Sequence, residues 1–146
     1  MFGEFLRRLT QPDPAPLEDS DARLALTALL VRVARSDHDY DISERELIEK
    51  IARNRFDLET AEAVALLQEG EILESEAPDT VRFTRAIKDA VPFDERLGIV
   101  EALWEVVLAD GIRSDEENAL LRLVANLLGV SDTDSAMARQ RMTARS

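Results

Sequence analysis

An internal repeat is the part of the sequence that decides the fold. Residues 21–65 read DARLALTALLVRVARSDHDYDISERELIEKIARNRFDLETAEAVA. A shift of 73 positions aligns them without gaps on residues 94–138, which read DERLGIVEALWEVVLADGIRSDEENALLRLVANLLGVSDTDSAMA. The matched pairs include Asp21/Asp94, Arg23/Arg96, Leu30/Leu103, Asp37/Asp110, Glu44/Glu117 and Ala52/Ala125. A gapless match of this length predicts two duplicated halves, and each half alone would bury too little surface to be stable.

Apolar residues recur at helical spacing through both halves and beyond them. The predicted helices cover residues 2–10, 20–36 (amphipathic), a segment opened by Asp41, 58–74, a segment ending before Pro92, 94–109, 115–128 and 132–143. No bounded run alternates β-branched with polar residues, so no strand is predicted. The sequence therefore predicts an all-α protein. It should form one domain over residues 1–146, a compact bundle of seven to eight helices built from two helix–turn–helix halves.

Composition and charge exclude several classes of function. The chain has 30 acidic and 18 basic residues in 146, a formal net charge of −12, which repels phosphate backbones and argues against binding nucleic acid. Cations and basic protein surfaces are the expected partners. With no cysteine and one histidine, His38, the chain has no thiolate metal site and no material for a catalytic triad.

The sequence also predicts where the protein resides. No apolar run approaches the roughly 18 residues of a membrane span, and the N-terminus has no continuous apolar stretch typical of a secretory signal. We therefore expect a cytoplasmic protein. Arg7 and Arg8 beside Phe2, Phe5 and Leu6 would allow at most peripheral association with the inner membrane face.

Each half has an acidic turn between its first two helices. The two turns read SDHDYDISE (residues 36–44) and ADGIRSDEE (residues 109–117). Asp41 and Ser114 are favourable N-cap residues, and Glu44 and Glu117 follow them at the spacing of a capping box. Capping of the next helix is therefore one interpretation of these two glutamates, and binding of a cation is the other.

Asp37 and Asp110 are harder to explain by local structure. Each lies at the predicted C-terminal end of a helix, where the helix dipole makes a carboxylate unfavourable by several tenths of a kcal/mol. Amides in its own turn, a nearby arginine (Arg35 or Arg113) or a bound cation would offset this. A cation would have only oxygen ligands, which suits Ca²⁺ or Mg²⁺. The turns are not EF-hands, because the first has Ile42 where that loop needs glycine.

The acidic turns resemble a known family. The segment Ala109-Asp110-Gly111, followed by the acidic cap Asp115-Glu116-Glu117 and then Leu120-Leu121, resembles the signature of the tellurite-resistance TerB-like family. Ser36-Asp37 to Glu44 is similar to that family's first copy, and the resemblance extends over residues 20–140. It implies an all-helical fold with duplicated halves, a set of acidic residues that binds divalent metal, and a role in the stress response, often near the membrane.

The resemblance also implies a set of metal ligands. The residues at the matching positions are Asp37 and Glu44, Asp110 and Glu117, with Asp39 and Asp115 as secondary candidates. The implied metal is a divalent cation, Ca²⁺, Mg²⁺ or Zn²⁺. The first copy departs from the pattern, because Ser36 replaces a small apolar residue and His38 replaces glycine, which suggests a different turn geometry.

Two hypotheses about function follow. The first is a non-catalytic TerB-like domain that binds divalent cations, interacts with protein partners of the stress response, or does both. The alternative is an acidic scaffold domain that docks basic protein partners without metal. A metal-dependent hydrolase would need several carboxylates converging on a concave pocket. The sequence favours no enzyme and no catalytic residue.

Overall fold

The computed structural model describes residues 6–7, 19–35, 40–77, 80–109 and 115–145. For residues 19, 20, 109, 115–117 and 145 it describes the backbone alone. Most of the predicted N-terminal helix, 2–10, therefore lies outside the described residues. Leu6 and Arg7 are helical, and Leu6 is half-buried against the hydrophobic core.

The described residues form seven helices and no strand, which confirms the all-α prediction. The helices are α1 (Asp19–Ala34), α2 (Ile42–Phe56), α3 (Thr60–Glu76), α4 (Thr80–Ala90), α5 (Phe93–Ala109), α6 (Asp115–Leu127) and α7 (Asp132–Arg145). None of these seven combines the length and the apolarity that a membrane span requires.

Helices α1 and α5 form the centre of the bundle. Every residue from Leu24 to Val31 is buried, and so is most of α5 from Ile99 to Val107. The prediction of a one-sided, amphipathic first helix was therefore wrong for its middle. Helices α2, α3, α5 and α6 all pack on α1, so its whole circumference is covered. Helix α7 packs mainly on α5, as α3 packs mainly on α1.

A glycine lets α3 approach α1 closely. Gly70 is buried, and a Cβ atom at this position would lie 2.8 Å from Cγ2 of Thr27 and 3.3 Å from the backbone nitrogen of Ala28. Carbon atoms in contact normally stay about 3.5–4.0 Å apart. Any larger residue at position 70 would therefore force the two helices apart.

The bounds of the helices locate a one-residue shift in the repeat. Helices α2 and α6 begin 73 residues apart, but their left-handed terminating residues, Asp57 (φ 54°) and Gly129 (φ 78°), are 72 apart. Helices α3 and α7 also begin 72 residues apart. The gapless register is therefore wrong in the third helix of each half, because the second helix or its turn is one residue shorter in the second copy.

Burial of alanines shows the same shift. In the gapless register, buried Ala63 would match exposed Ala136, and exposed Ala65 would match buried Ala138. With a shift of 72, Ala63 matches Ser135, and both are buried. The duplication of the two halves stays a prediction, and its register now has a gap before α3.

Candidate metal site

The structure describes one predicted metal ligand in full. Glu44 lies in the first turn of α2. Asp115 and Glu117 lie in the first turn of α6, where the backbone alone is described. Asp37, Asp39 and Asp110 lie outside the described residues, so the predicted metal site as a whole stays a prediction. Within the described ranges, no three His, Asp or Glu side chains are grouped so that they could hold a metal ion.

Helix α2 begins at a side-chain cap. Asp41 has extended backbone angles (φ −98°, ψ −177°), and its Oδ1 accepts from the backbone N–H of Glu44 at 3.0 Å and from the Ser43 hydroxyl at 2.7 Å. These hydrogen bonds, first the one from the Glu44 amide, lower the pKa of Asp41. The prediction that Asp41 caps this helix is confirmed, and one of its carboxylate oxygens is committed to the cap.

Two glutamates of α3 anchor the residues on either side of the first acidic turn. Arg35, the last described residue before the turn, donates through Nη1 to Oε2 of Glu74 at 2.6 Å. Tyr40, the first described residue after it, donates from its hydroxyl to Oε2 of Glu71 at 2.7 Å. The Arg35 guanidinium also lies over the Tyr40 ring, 4.9 Å from its centroid. Both ends of the segment 36–39 are therefore attached to the same helix.

Two more arginines complete this cluster, which we call the anchor cluster (Arg32, Arg35, Tyr40, Arg45, Glu71 and Glu74). Arg45 makes a bidentate pair with Glu71, at 2.8 and 3.0 Å. Arg32 donates to Oε1 of Glu74 at 3.3 Å and to the carbonyl oxygen of Glu74 at 3.0 Å. Three arginines therefore face two glutamates, so both carboxylates are neutralised by protein cations.

The anchor cluster shifts two pKa values. Burial raises the pKa of Tyr40 well above its ordinary value, and the hydrogen bond to Glu71 raises it further, so the phenol keeps its proton. Burial would also raise the pKa of Glu71, but the hydrogen bonds from Arg45 and Tyr40 outweigh it and leave this pKa below its ordinary value. Glu71 is therefore a stable anion that accepts from both partners.

The second acidic turn has different surroundings. With the shift of 72 residues that relates α3 to α7, the position of Glu71 is occupied by Thr143 and that of Glu74 by Ser146. The Thr143 hydroxyl donates to the carbonyl oxygen of Arg139 in its own helix. The carboxylate anchors of the first half are thus not repeated, and the two turns are not equivalent.

Sequence reasoning missed the anchor cluster. It considered Arg35 as a partner for Asp37, whereas the described contacts of Arg35 are with Glu74 and Tyr40. The one available signal was the spacing of Glu71 and Glu74, three residues apart on a helix that has five glutamates and no basic residue. Their partners lie 26 to 42 residues away in the sequence, beyond any local pattern.

Comparison with known proteins identifies the family. The family model described as "Tellurite resistance protein TerB" matches residues 23–140. No curated protein and no solved structure matches the chain. The match covers most of the chain and contains both acidic turns and all seven helices except the first residues of α1 and the last of α7. This chain belongs to the TerB family of tellurite resistance proteins.

Proposed function

We propose that this TerB domain is a non-catalytic binding domain that takes up a divalent cation at its acidic turns and interacts with protein partners of the stress response. Its ligands would come from Asp37, Asp39 and Glu44 in the first turn. Asp110, Asp115 and Glu117 would supply them in the second. All six are carboxylates, and such a donor set fits Ca²⁺ or Mg²⁺ better than Zn²⁺.

The attachment of the first turn to α3 is the observation that supports this proposal most directly. Arg35 and Tyr40 hold the ends of the turn on Glu74 and Glu71. A turn whose ends are held in place loses less conformational freedom when a cation binds. Since Glu71 and Glu74 are neutralised by arginines, they leave the cation to the carboxylates of the turn itself.

Calorimetry on metal-stripped protein tests the proposal. We expect saturable binding of Ca²⁺ or Mg²⁺ by the unmodified protein and its loss in the double variant Asp37→Asn/Asp110→Asn. The matched control is Asp89→Asn/Asp94→Asn, which changes the net charge equally at two exposed residues outside the turns. Titration with Zn²⁺ completes the series. Absence of heat for all three metals, or equal loss of binding in the control, would contradict the cation site.

The outer face of α3 favours a second function, docking of basic partners without metal. Five uncharged residues at helical spacing form an exposed stripe: Ala61, Val64, Ala65, Gln68 and Ile72. One edge of this α3 stripe has Glu62, Glu69 and Glu76, spaced by seven residues and exposed. An amphipathic helix with an apolar face and a basic edge would match both features.

Helix α7 has a similar stripe with a different charge. Thr133, Ala136, Met137, Gln140 and Ala144 are all exposed, and each lies 72 residues after its counterpart in the α3 stripe. The charges beside it include Arg139 and Arg141, however, whereas α3 has no basic residue. Basic partners would therefore choose α3.

Peptide binding distinguishes the two functions. The probe is an 18-residue amphipathic helix with leucines on one face and arginines along its edges, and its counterpart has glutamates along the edges. Docking on α3 predicts that the arginine peptide binds in EDTA and loses affinity for Glu69→Gln/Glu76→Gln. The charge-matched control Glu46→Gln/Glu95→Gln should keep its affinity. Equal weakening in both variants would mean that general charge attraction, and not the stripe, drives binding.

A further inference from the structure

A cavity of about 300 Å³ opens where α1, the end of α2 and the first half of α5 meet. Its apolar wall is formed by Leu26, Val91 and Ile99, all of which are buried. Its volume lies at the lower end of the range of small-molecule sites, roughly 300 to 1,000 Å³, so it suits a small ligand. The cavity is separate from the anchor cluster, with which it shares no residue.

A glycine in the cavity wall has no packing role. Gly98 lies inside α5, where glycine is less favourable than alanine, and a Cβ atom at this position would meet nothing within 4 Å. Gly70 is the opposite case, because a Cβ atom there would collide with Thr27. Since no neighbouring helix requires a glycine at position 98, its effect is to leave space in the cavity.

A cation without a carboxylate partner lies in the same wall. Six described arginines form ion pairs with glutamates: Arg32, Arg35, Arg45, Arg53, Arg55 and Arg141. The contact that the structure gives the Arg23 guanidinium is instead the ring of Phe56, 5.3 Å from its centroid. Stacking on a ring leaves the N–H groups at the guanidinium edge available to an acceptor. Arg55 also lines the cavity, but it is paired with Glu105 at 2.5 Å.

We propose that this cavity binds a small organic carboxylate. The apolar body of the ligand lies against Leu26, Val91 and Ile99, in the space that Gly98 leaves open. Its carboxylate accepts hydrogen bonds from Arg23, which supplies the charge that the apolar wall lacks. Glu95, exposed at the rim, is a like charge and weakens the interaction.

Titration with octanoate tests this site, with octan-1-ol as the uncharged probe of the same length. We expect saturable binding of octanoate and about tenfold weaker binding of octanol. Arg23→Gln should remove that difference. Arg139→Gln is the matched control, because Arg139 also lies 5.3 Å over a ring, that of Trp104, but outside the cavity. Glu95→Gln should strengthen octanoate binding, in the opposite direction to Arg23→Gln.

Filling the cavity gives the second arm of the test. Gly98→Leu should abolish binding of both probes, and circular dichroism with a thermal melt shows whether this variant is folded. Gly98→Ala adds one methyl group in open space, so it should fold in any case and bind octanoate more weakly. Asp37→Asn/Asp110→Asn should bind octanoate normally, because the cavity does not depend on the proposed cation site.

Three results would overturn the proposal. Octanoate may be replaced by hexanoate, decanoate or benzoate, and if none of the four binds, the cavity is not a carboxylate site. Equal affinity for octanoate and octanol would show that Arg23 does not select the charge. Unchanged octanoate binding in both folded Gly98 variants would place the bound molecule elsewhere on the protein.

Discussion

Tyr40 and Glu71, 31 residues apart in the sequence, are joined by a hydrogen bond of 2.7 Å between the phenol hydroxyl and Oε2 of the carboxylate. This bond attaches the end of the first acidic turn to the middle of α3. Arg45 binds the same carboxylate from the first turns of α2. One glutamate thereby connects α3 to α2 and to the acidic turn that precedes α2, and its charge state should control how firmly they are held.

The pH dependence of stability should report on Glu71. Its pKa is lowered in the folded protein, so its contribution to the free energy of unfolding is complete above the ordinary glutamate pKa and is lost as the pH falls through the folded value. Glu71→Gln should lower stability by about 1–3 kcal/mol at pH 7. The difference from the unmodified protein should shrink as the pH is lowered below about 4.

Urea unfolding at a series of pH values measures this effect. Glu69→Gln is the control on the same helix, because Glu69 is exposed and should change stability little at any pH. A Glu71→Gln variant that is equally destabilised at pH 7 and at pH 3 would show that the loss comes from packing and not from the charge.

Two interior glycines should respond to alanine in opposite directions. Gly70→Ala should lower stability by about 1–3 kcal/mol, because the new Cβ would lie 2.8 Å from the branched side chain of Thr27. Gly98→Ala should raise stability by about 0.5–1 kcal/mol, since its Cβ enters open space and alanine favours the helix. Thermal melts of the two variants, made under the same conditions, give both signs. A destabilised Gly98→Ala would mean that the space is smaller than the structure indicates.

Asp57 ends α2 in the left-handed conformation that favours glycine. Its φ is 54°, and the residue that ends α6 in the corresponding place is Gly129. Asp57→Gly should therefore raise stability by about 0.5–1 kcal/mol. The mirror variant Gly129→Ala should lower it, both through its φ of 78° and because a Cβ there would lie 2.9 Å from Nη1 of Arg96. Chemical denaturation measures each change, and a loss of stability in Asp57→Gly would contradict the role assigned to φ.

Trp104 depends on one hydrogen bond in the core. Its Nε1 donates to Oγ of Ser135 at 3.1 Å, and both residues are buried. Ser135→Ala would leave a buried donor without a partner and should lower stability by about 1–3 kcal/mol. The double variant Trp104→Phe/Ser135→Ala removes donor and acceptor together. A double-mutant cycle on free energies of unfolding should therefore give a favourable coupling between the two residues, and purely additive losses would mean that the bond adds no stability.

The sequence by itself determined the fold class, the family and the local ends of the helices. Apolar spacing predicted the helices, Asp41 was predicted to cap α2, and the Ala109-Asp110-Gly111 turn pointed to the TerB family, which the match over residues 23–140 confirms. These features depend on residues three or four positions apart or on short motifs, so a linear pattern contains them.

Tertiary structure alone decided which side chains meet across the bundle. It paired Glu71 with Tyr40 and Arg45, placed Gly98 beside open space and Gly70 against Thr27, and moved the register of the repeat by one residue before α3. The two interior glycines look alike in the sequence, since each lies within a helix. Their surroundings differ because packing between helices depends on how distant segments fill the same volume, and no local periodicity encodes that.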